Sequence, residues 1–89
     1  MKRKLAKHKN GEICNLSELK IGERAIIVKI KSENFDFRRR LIEMGITFGV
    51  QIEVKKFAPL GDPVGISVRG YELVLRKSEL RNIEARVCI

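Results

Sequence analysis

The residues that could do chemistry are few, and their spacing argues against most of it. The single histidine, His8, stands among lysines near the N-terminus, so no Ser/His or Cys/His pair is expected on the folded body. Eleven Asp/Glu lie scattered among nineteen Lys/Arg, with no carboxylate pair suited to acid/base work. Gly61 to Gly70 lacks the GxxxxGKS/T spacing of a phosphate loop. His8 with Cys14 and Cys88 matches no metal-ligand pattern, and two thiols make no disulfide framework. The expectation is a chain with no catalytic residue, no metal site and no cofactor, which works by binding.

Binding features are better represented. Ile42 lies about 100° from Leu41 on a helix and should be partly exposed. Phe48 falls in a turn, Leu60 at the tip of a loop bounded by Pro59 and Pro63, and Tyr71 in a hairpin. Phe57 has outward parity on its strand unless a bulge intervenes. Arg38-Arg39-Arg40 spreads around a helix, with Arg39 opposite the core stripe. An apolar centre of Ile42, Phe48, Leu60 and Tyr71 ringed by Arg38, Arg39 and Asp62 would have the composition of a protein interface. It requires the loops to gather at one end of the fold.

The elements that must position these residues follow from periodicity. Asn15 caps a short turn that Glu18 completes as a capping box. In Ala25–Lys31, Ile26, Val28 and Ile30 share one face and are expected to point to the core. A helix starts at Asn34 or Asp36 and runs to about residue 44, with Phe37, Leu41 and Met44 on one stripe and Gly45 at the left-handed cap position. Ile52 and Val54, then Val64, Ile66 and Val68, then Leu73 and Leu75, then Ile83, Ala85 and Val87 give four further strands. Arg69-Gly70 makes a turn, and Lys77 to Asn82 has room for one helical turn. Five short strands and one helix imply a mainly β fold, a small barrel.

Charge divides the chain. Residues 1–14 hold five of the nineteen Lys/Arg and one of the eleven Asp/Glu, without apolar periodicity, and are expected to be a flexible basic tail, leaving 15–89 as the domain. No apolar run approaches the ~20 residues needed to cross a bilayer, and the basic start lacks the apolar segment of a secretory signal. A cytoplasmic location is expected. Lys2, Arg3, Lys4, Lys7 and Lys9 are candidates for contact with the inner face of the membrane.

The ordered motifs resemble one family. Leu41-Ile42-Glu43-Met44-Gly45-Ile46 with Gly49 is similar to the RLxEMGL…G segment of the FeoA family, accessory proteins of bacterial ferrous-iron uptake. The resemblance runs from Leu16-Ser17-Glu18-Leu19-Lys20-Ile21-Gly22 through Ala58-Pro59-Leu60-Gly61-Asp62-Pro63 and Val68–Arg76 to near Val87. It implies an SH3-like barrel and a cytoplasmic partner, the membrane GTPase-transporter FeoB. Two departures stand out. Phe48 occupies a position where the family commonly has proline, and the lysine-rich tail is an addition.

Other functions fit less well. A nucleic-acid-binding barrel would use the charge and neighbours such as Lys55-Lys56-Phe57, but ten acids lie in 15–89 and no stacking motif or base-reading helix is evident. A detached regulatory domain of a metal-dependent repressor would be expected to carry a helix-turn-helix or a ligand cluster, and neither is evident.

Overall fold

A computed structural model of the chain describes residues 8–89. Six antiparallel strands form one sheet in the order β1-β6-β2-β3-β4-β5. Their ranges are β1 Ile13–Asn15, β2 Arg24–Ile30, β3 Gln51–Phe57, β4 Val64–Val68, β5 Tyr71–Leu75 and β6 Ile83–Cys88. The sheet curls into a small SH3-like barrel that stays open between β1 and β5. A 3-10 turn at Leu16–Glu18 follows β1, helix α1 (Phe35–Glu43) joins β2 to β3, and the single turn α2 (Lys77–Leu80) joins β5 to β6.

The expected core is largely found. Leu41, Ile52, Val54, Ile66, Val68, Leu75, Ile83, Ala85 and Val87 are buried, while Phe37, Met44 and Leu73 pack against this core with part of their surface exposed. Asn15 and Glu18 close the capping box around the 3-10 turn. Of the two candidate caps for α1, Asn34 serves: its side-chain oxygen accepts from the Phe37 amide at 2.9 Å.

The inward face of β2 differs from the alternation read in the sequence. Ala25 and Ile27 are buried, whereas Ile26 and Val28 are half-buried. A bulge accounts for this: Ile27 pairs with Ala85 and Lys29 with Glu84, leaving Val28 as the extra residue. The extra residue shifts the parity, so Ile30, opposite Ile83, again packs against the core. A second bulge in β3, between Val54 and Lys56, turns Phe57 inward against the core.

The N-terminal boundary is also corrected. Residues 8–14 belong to the domain, because Ile13, Cys14 and Asn15 pair with Arg86, Ala85 and Glu84 of β6. Gly11 N–H donates to Val87 O and Val87 N–H to Glu12 O. A three-residue strand is too short to show alternation.

Candidate docking surface

The end of α1 is built by a Schellman motif. Gly45 N–H donates to Ile42 O and Ile46 N–H to Leu41 O, at 3.0 and 2.9 Å. Leu41 and Ile46, the apolar pair that accompanies this motif, are both fully buried. Gly45 has φ +92, and a Cβ there would lie 2.7 Å from the Tyr71 hydroxyl oxygen. That hydroxyl donates to Met44 O. The β4–β5 hairpin, with Arg69 at φ +51, is thereby tied to the helix C-terminus.

Beyond Gly45 the chain turns at Thr47–Val50, where Val50 N–H donates to Thr47 O. Gly49 has φ +86, the value a type II turn requires at its third residue. Proline is favoured at the second position of that turn, and here Phe48 stands there with 81% of its surface exposed. Ile42 and Tyr71 are exposed to 51% and 44%. All three lie at the end of the barrel where α1 stops, β3 starts and the β4–β5 hairpin turns.

Leu60 and Asp62 do not join them. They lie in the β3–β4 connection, at the far end of a seven-residue strand, about 20 Å away at ~3.3 Å per residue. Leu60 is 96% exposed, and an Asp62 carboxylate oxygen accepts from the Lys77 amide at 2.9 Å. Asp62 instead lines an open groove with Arg40, Pro63, Val74, Arg76 and Glu79. The expectation of one patch centred on Ile42, Phe48, Leu60 and Tyr71 is corrected to two separate ends.

The three arginines have distinct partners. Arg38 donates to Ile30 O and Ser32 O at 2.7 and 3.3 Å, so it braces the β2–α1 connection, a use that competes with rimming an interface. Arg39 sits over the Phe35 ring, 5.6 Å from its centroid. Arg40 bonds the Glu79 carboxylate. Burial would raise the Glu79 pKa, but the Arg76 amide and the Arg40 guanidinium outweigh it and hold the value below 4.5. Phe57 packs on the core with part of its surface exposed, and Lys77 Nζ lies 5.4 Å from its ring centroid.

The sequence reading missed a polar cluster around Glu23. This residue is buried, and its carboxylate accepts from His8 N–H, His8 Nδ1 and Lys20 N–H at 2.8, 2.9 and 2.8 Å. Burial alone would raise its pKa; those hydrogen bonds outweigh burial and lower it. His8 is thus part of the folded body, contrary to its expected place in a tail. Cys14 lies beneath, its pKa pushed up to about 11 by burial and by Glu18, Glu12 and Glu23. Cys14 and Cys88 are both free thiols. A Glu among lysines gives no sequence signal for this role; the only cue is its place just ahead of a strand.

The remaining sequence-level candidates, Lys2, Arg3, Lys4 and Lys7, lie outside the described residues. No helix among the described residues is long and apolar enough to cross a membrane.

Comparison with known proteins agrees with the fold and the motifs. The family model of the FeoA domain matches residues 14–87. A fusion of Fe(2+) transport protein A with the Fe(2+) transporter FeoB, from Porphyromonas gingivalis, is 39% identical over 72 residues, covering 81% of this chain and only 8% of the fusion. The FeoA-like protein of Clostridium acetobutylicum superposes with a TM-score of 0.78 at 35% identity, covering 92% of each chain. FeoA of Stenotrophomonas maltophilia, described as an SH3 domain protein in complex with zinc, gives 0.70 at 27%, covering 80% of this chain and 87% of that one. A match over residues 14–87, nearly the whole sheet, places this protein in the FeoA family.

Proposed function

We propose that this chain is a cytoplasmic, non-enzymatic accessory module of bacterial ferrous-iron uptake that docks on the G domain of a FeoB-type transporter. The observation that carries this reading is the fusion: a segment 39% identical to this chain is joined to FeoB in one polypeptide. A tether supplies effective concentration without affinity. Without such a tether the affinity has to come from the domain's own surface.

The end bearing Ile42, Phe48 and Tyr71 supports that role. Its aromatic anchor stands out from a turn that is fixed by hydrogen bonds on both sides, since Gly49 N–H donates to Ile27 O and Ile27 N–H to Val50 O. An anchor ordered before binding loses little entropy on docking. Arg69, whose Cδ lies beside Gly45, supplies polar surroundings for the apolar centre.

The test is the affinity of Phe48→Ser and Ile42→Ser, singly and together, for the cytoplasmic domain of the co-encoded transporter, with Leu60→Ser alongside. Loss of an anchor should weaken binding at least tenfold, about 1.4 kcal/mol, while Leu60→Ser binds as the parent does. The reverse pattern would move the docking face to the β3–β4 end. Basic residues near an acidic leaflet add about 1 kcal/mol each, so replacing Lys2, Arg3, Lys4 and Lys7 by Gln should reduce sedimentation with acidic liposomes at low salt. Unchanged sedimentation would remove the membrane contact from this reading.

A further inference from the structure

Beneath the N-terminal segment three different ligand types converge. A ring nitrogen of His8, the Cys14 sulfur and a Glu18 carboxylate oxygen all lie within 4.8 Å of one another. They come from consecutive parts of the fold: the segment before β1, β1 itself and the 3-10 turn. We infer that His8, Cys14 and Glu18 form a binding site for one borderline divalent transition metal, of the Zn²⁺ or Fe²⁺ class, with a fourth position left for water or a partner's ligand.

The second observation concerns how His8 is held. Its Nδ1 is 2.9 Å from Glu23 Oε1, and the Glu23 side chain is only 5% exposed. Facing a carboxylate, Nδ1 carries the proton, so the lone pair is left on Nε2. A histidine oriented by a carboxylate through one nitrogen and free at the other is the arrangement that supports metal-bound imidazoles. The other Glu23 oxygen accepts the His8 amide, which fixes the backbone as well as the ring. The remaining donor also has a spare atom: Glu18 Oε1 accepts the Asn15 amide at 3.3 Å, leaving Oε2 for a ligand bond.

Donor chemistry selects the metal. One nitrogen, one sulfur and one oxygen suit Zn²⁺, Fe²⁺ or Co²⁺, whereas Ca²⁺ and Mg²⁺ prefer all-oxygen sets. Ligand atoms of a tetrahedral site with bonds of ~2.0–2.3 Å sit about 3.3–3.7 Å apart. No two donors are more than 4.8 Å apart, so binding draws them in by at most about 1–1.5 Å, shared between the exposed Glu18 side chain and a small turn of Cys14 about its Cα–Cβ bond. Glu12, Glu18 and Glu23 place negative charge around Cys14 in a chain whose net charge is +8. On binding, the Cys14 S–H proton leaves to solvent, the thiolate sulfur donates its pair to the metal, and no electron is transferred.

The inference stands apart from docking on FeoB, so either can fail alone. The experiment is a Co²⁺ titration of the untagged, reduced full chain, followed by absorption and by competition with Zn²⁺. One equivalent of Co²⁺ should produce thiolate-to-cobalt charge transfer and the intense visible bands of a four-coordinate ion, displaced by one equivalent of Zn²⁺. Cys14→Ser should abolish the charge-transfer band, His8→Gln and Glu18→Gln should weaken binding at least tenfold, and Cys88→Ser should leave the spectrum intact. Circular dichroism verifies the fold of Cys14→Ser; His8→Gln, at the sheet's periphery, tests the site should that variant unfold. Absence of the band in the parent protein, its persistence in Cys14→Ser, its loss in Cys88→Ser, or His8→Gln binding as tightly as the parent would overturn the inference.

Discussion

Replacing Gly45 by Ala tests how the helix end, the hairpin and the docking end are joined. Two costs arise at once. A residue with a Cβ at φ +92 loses about 1–2 kcal/mol to backbone strain. The new Cβ, 2.7 Å from the Tyr71 hydroxyl oxygen, also drives that hydroxyl from Met44 O, losing a hydrogen bond worth about 1 kcal/mol. The sum is roughly 2–3 kcal/mol, a fall in Tm of roughly 10–20 °C for a domain of this size. Tyr71→Phe separates the two costs. It sacrifices the hydrogen bond, about 1 kcal/mol, but removes the clashing oxygen, and the next neighbours, Arg69 Cδ and Val68 Cγ1, stand at 3.7 and 3.8 Å. In that background Gly45→Ala should cost only its backbone share. Urea unfolding of the four proteins, compared at constant m, should give a coupling of about 1 kcal/mol. Costs that add within about 0.3–0.5 kcal/mol would refute the link between Gly45 and Tyr71.

Three further outcomes follow from the packing. Leu41→Ala, at a fully buried position, should lower stability by about 2–5 kcal/mol through lost burial and a cavity; a loss below half a unit in urea unfolding would contradict the helix register. Arg38→Ala removes two hydrogen bonds to backbone carbonyls and should cost about 1–2 kcal/mol, with faster amide exchange at residues 30–34. Glu79 has a folded-state pKa below its ordinary 4.5, so its contribution is present above pH 4.5 and is lost as pH falls through the folded value. The acid limb of a stability–pH profile should therefore be flatter in Glu79→Gln, and identical limbs would refute the assignment.

What was legible in the sequence is what a local rule determines. Asn34, the Phe37/Leu41/Met44 stripe and Gly45 define α1 to within a residue of its observed end, because cap, stripe and stop agree. Ile52, Val54, Ile66 and Val68 alternate with polar neighbours and fall inward as expected. In β2 the run Ala25-Ile26-Ile27-Val28 is apolar on both faces, so either parity fits, and the bulge at Val28 that settles it is formed with β6 more than fifty residues away. Ile42 and Phe48 were recognisable as exposed from helix geometry and turn position. Their separation from Leu60 was not, since it depends on which end of β3 each loop occupies. His8 and Glu23 were hidden for the same reason: their pairing is tertiary, and lysine-rich flanks gave His8 the look of a tail.

Placing β6 between β1 and β2 has a consequence for how the molecule comes into being. The last strand made is the one the first two strands must pair with, so β1 has no neighbour and β2 only one until Ile83–Cys88 leaves the ribosome. Until then β2–β5 form at most a meander with an unpaired edge, and the apolar side chains of β2 wait for theirs. Closure then brings together segments some seventy residues apart in sequence, Ile13 opposite Arg86, and such long-range pairing slows the search for the native state. Completion of this sheet therefore waits on its last strand, which joins the two ends of the domain.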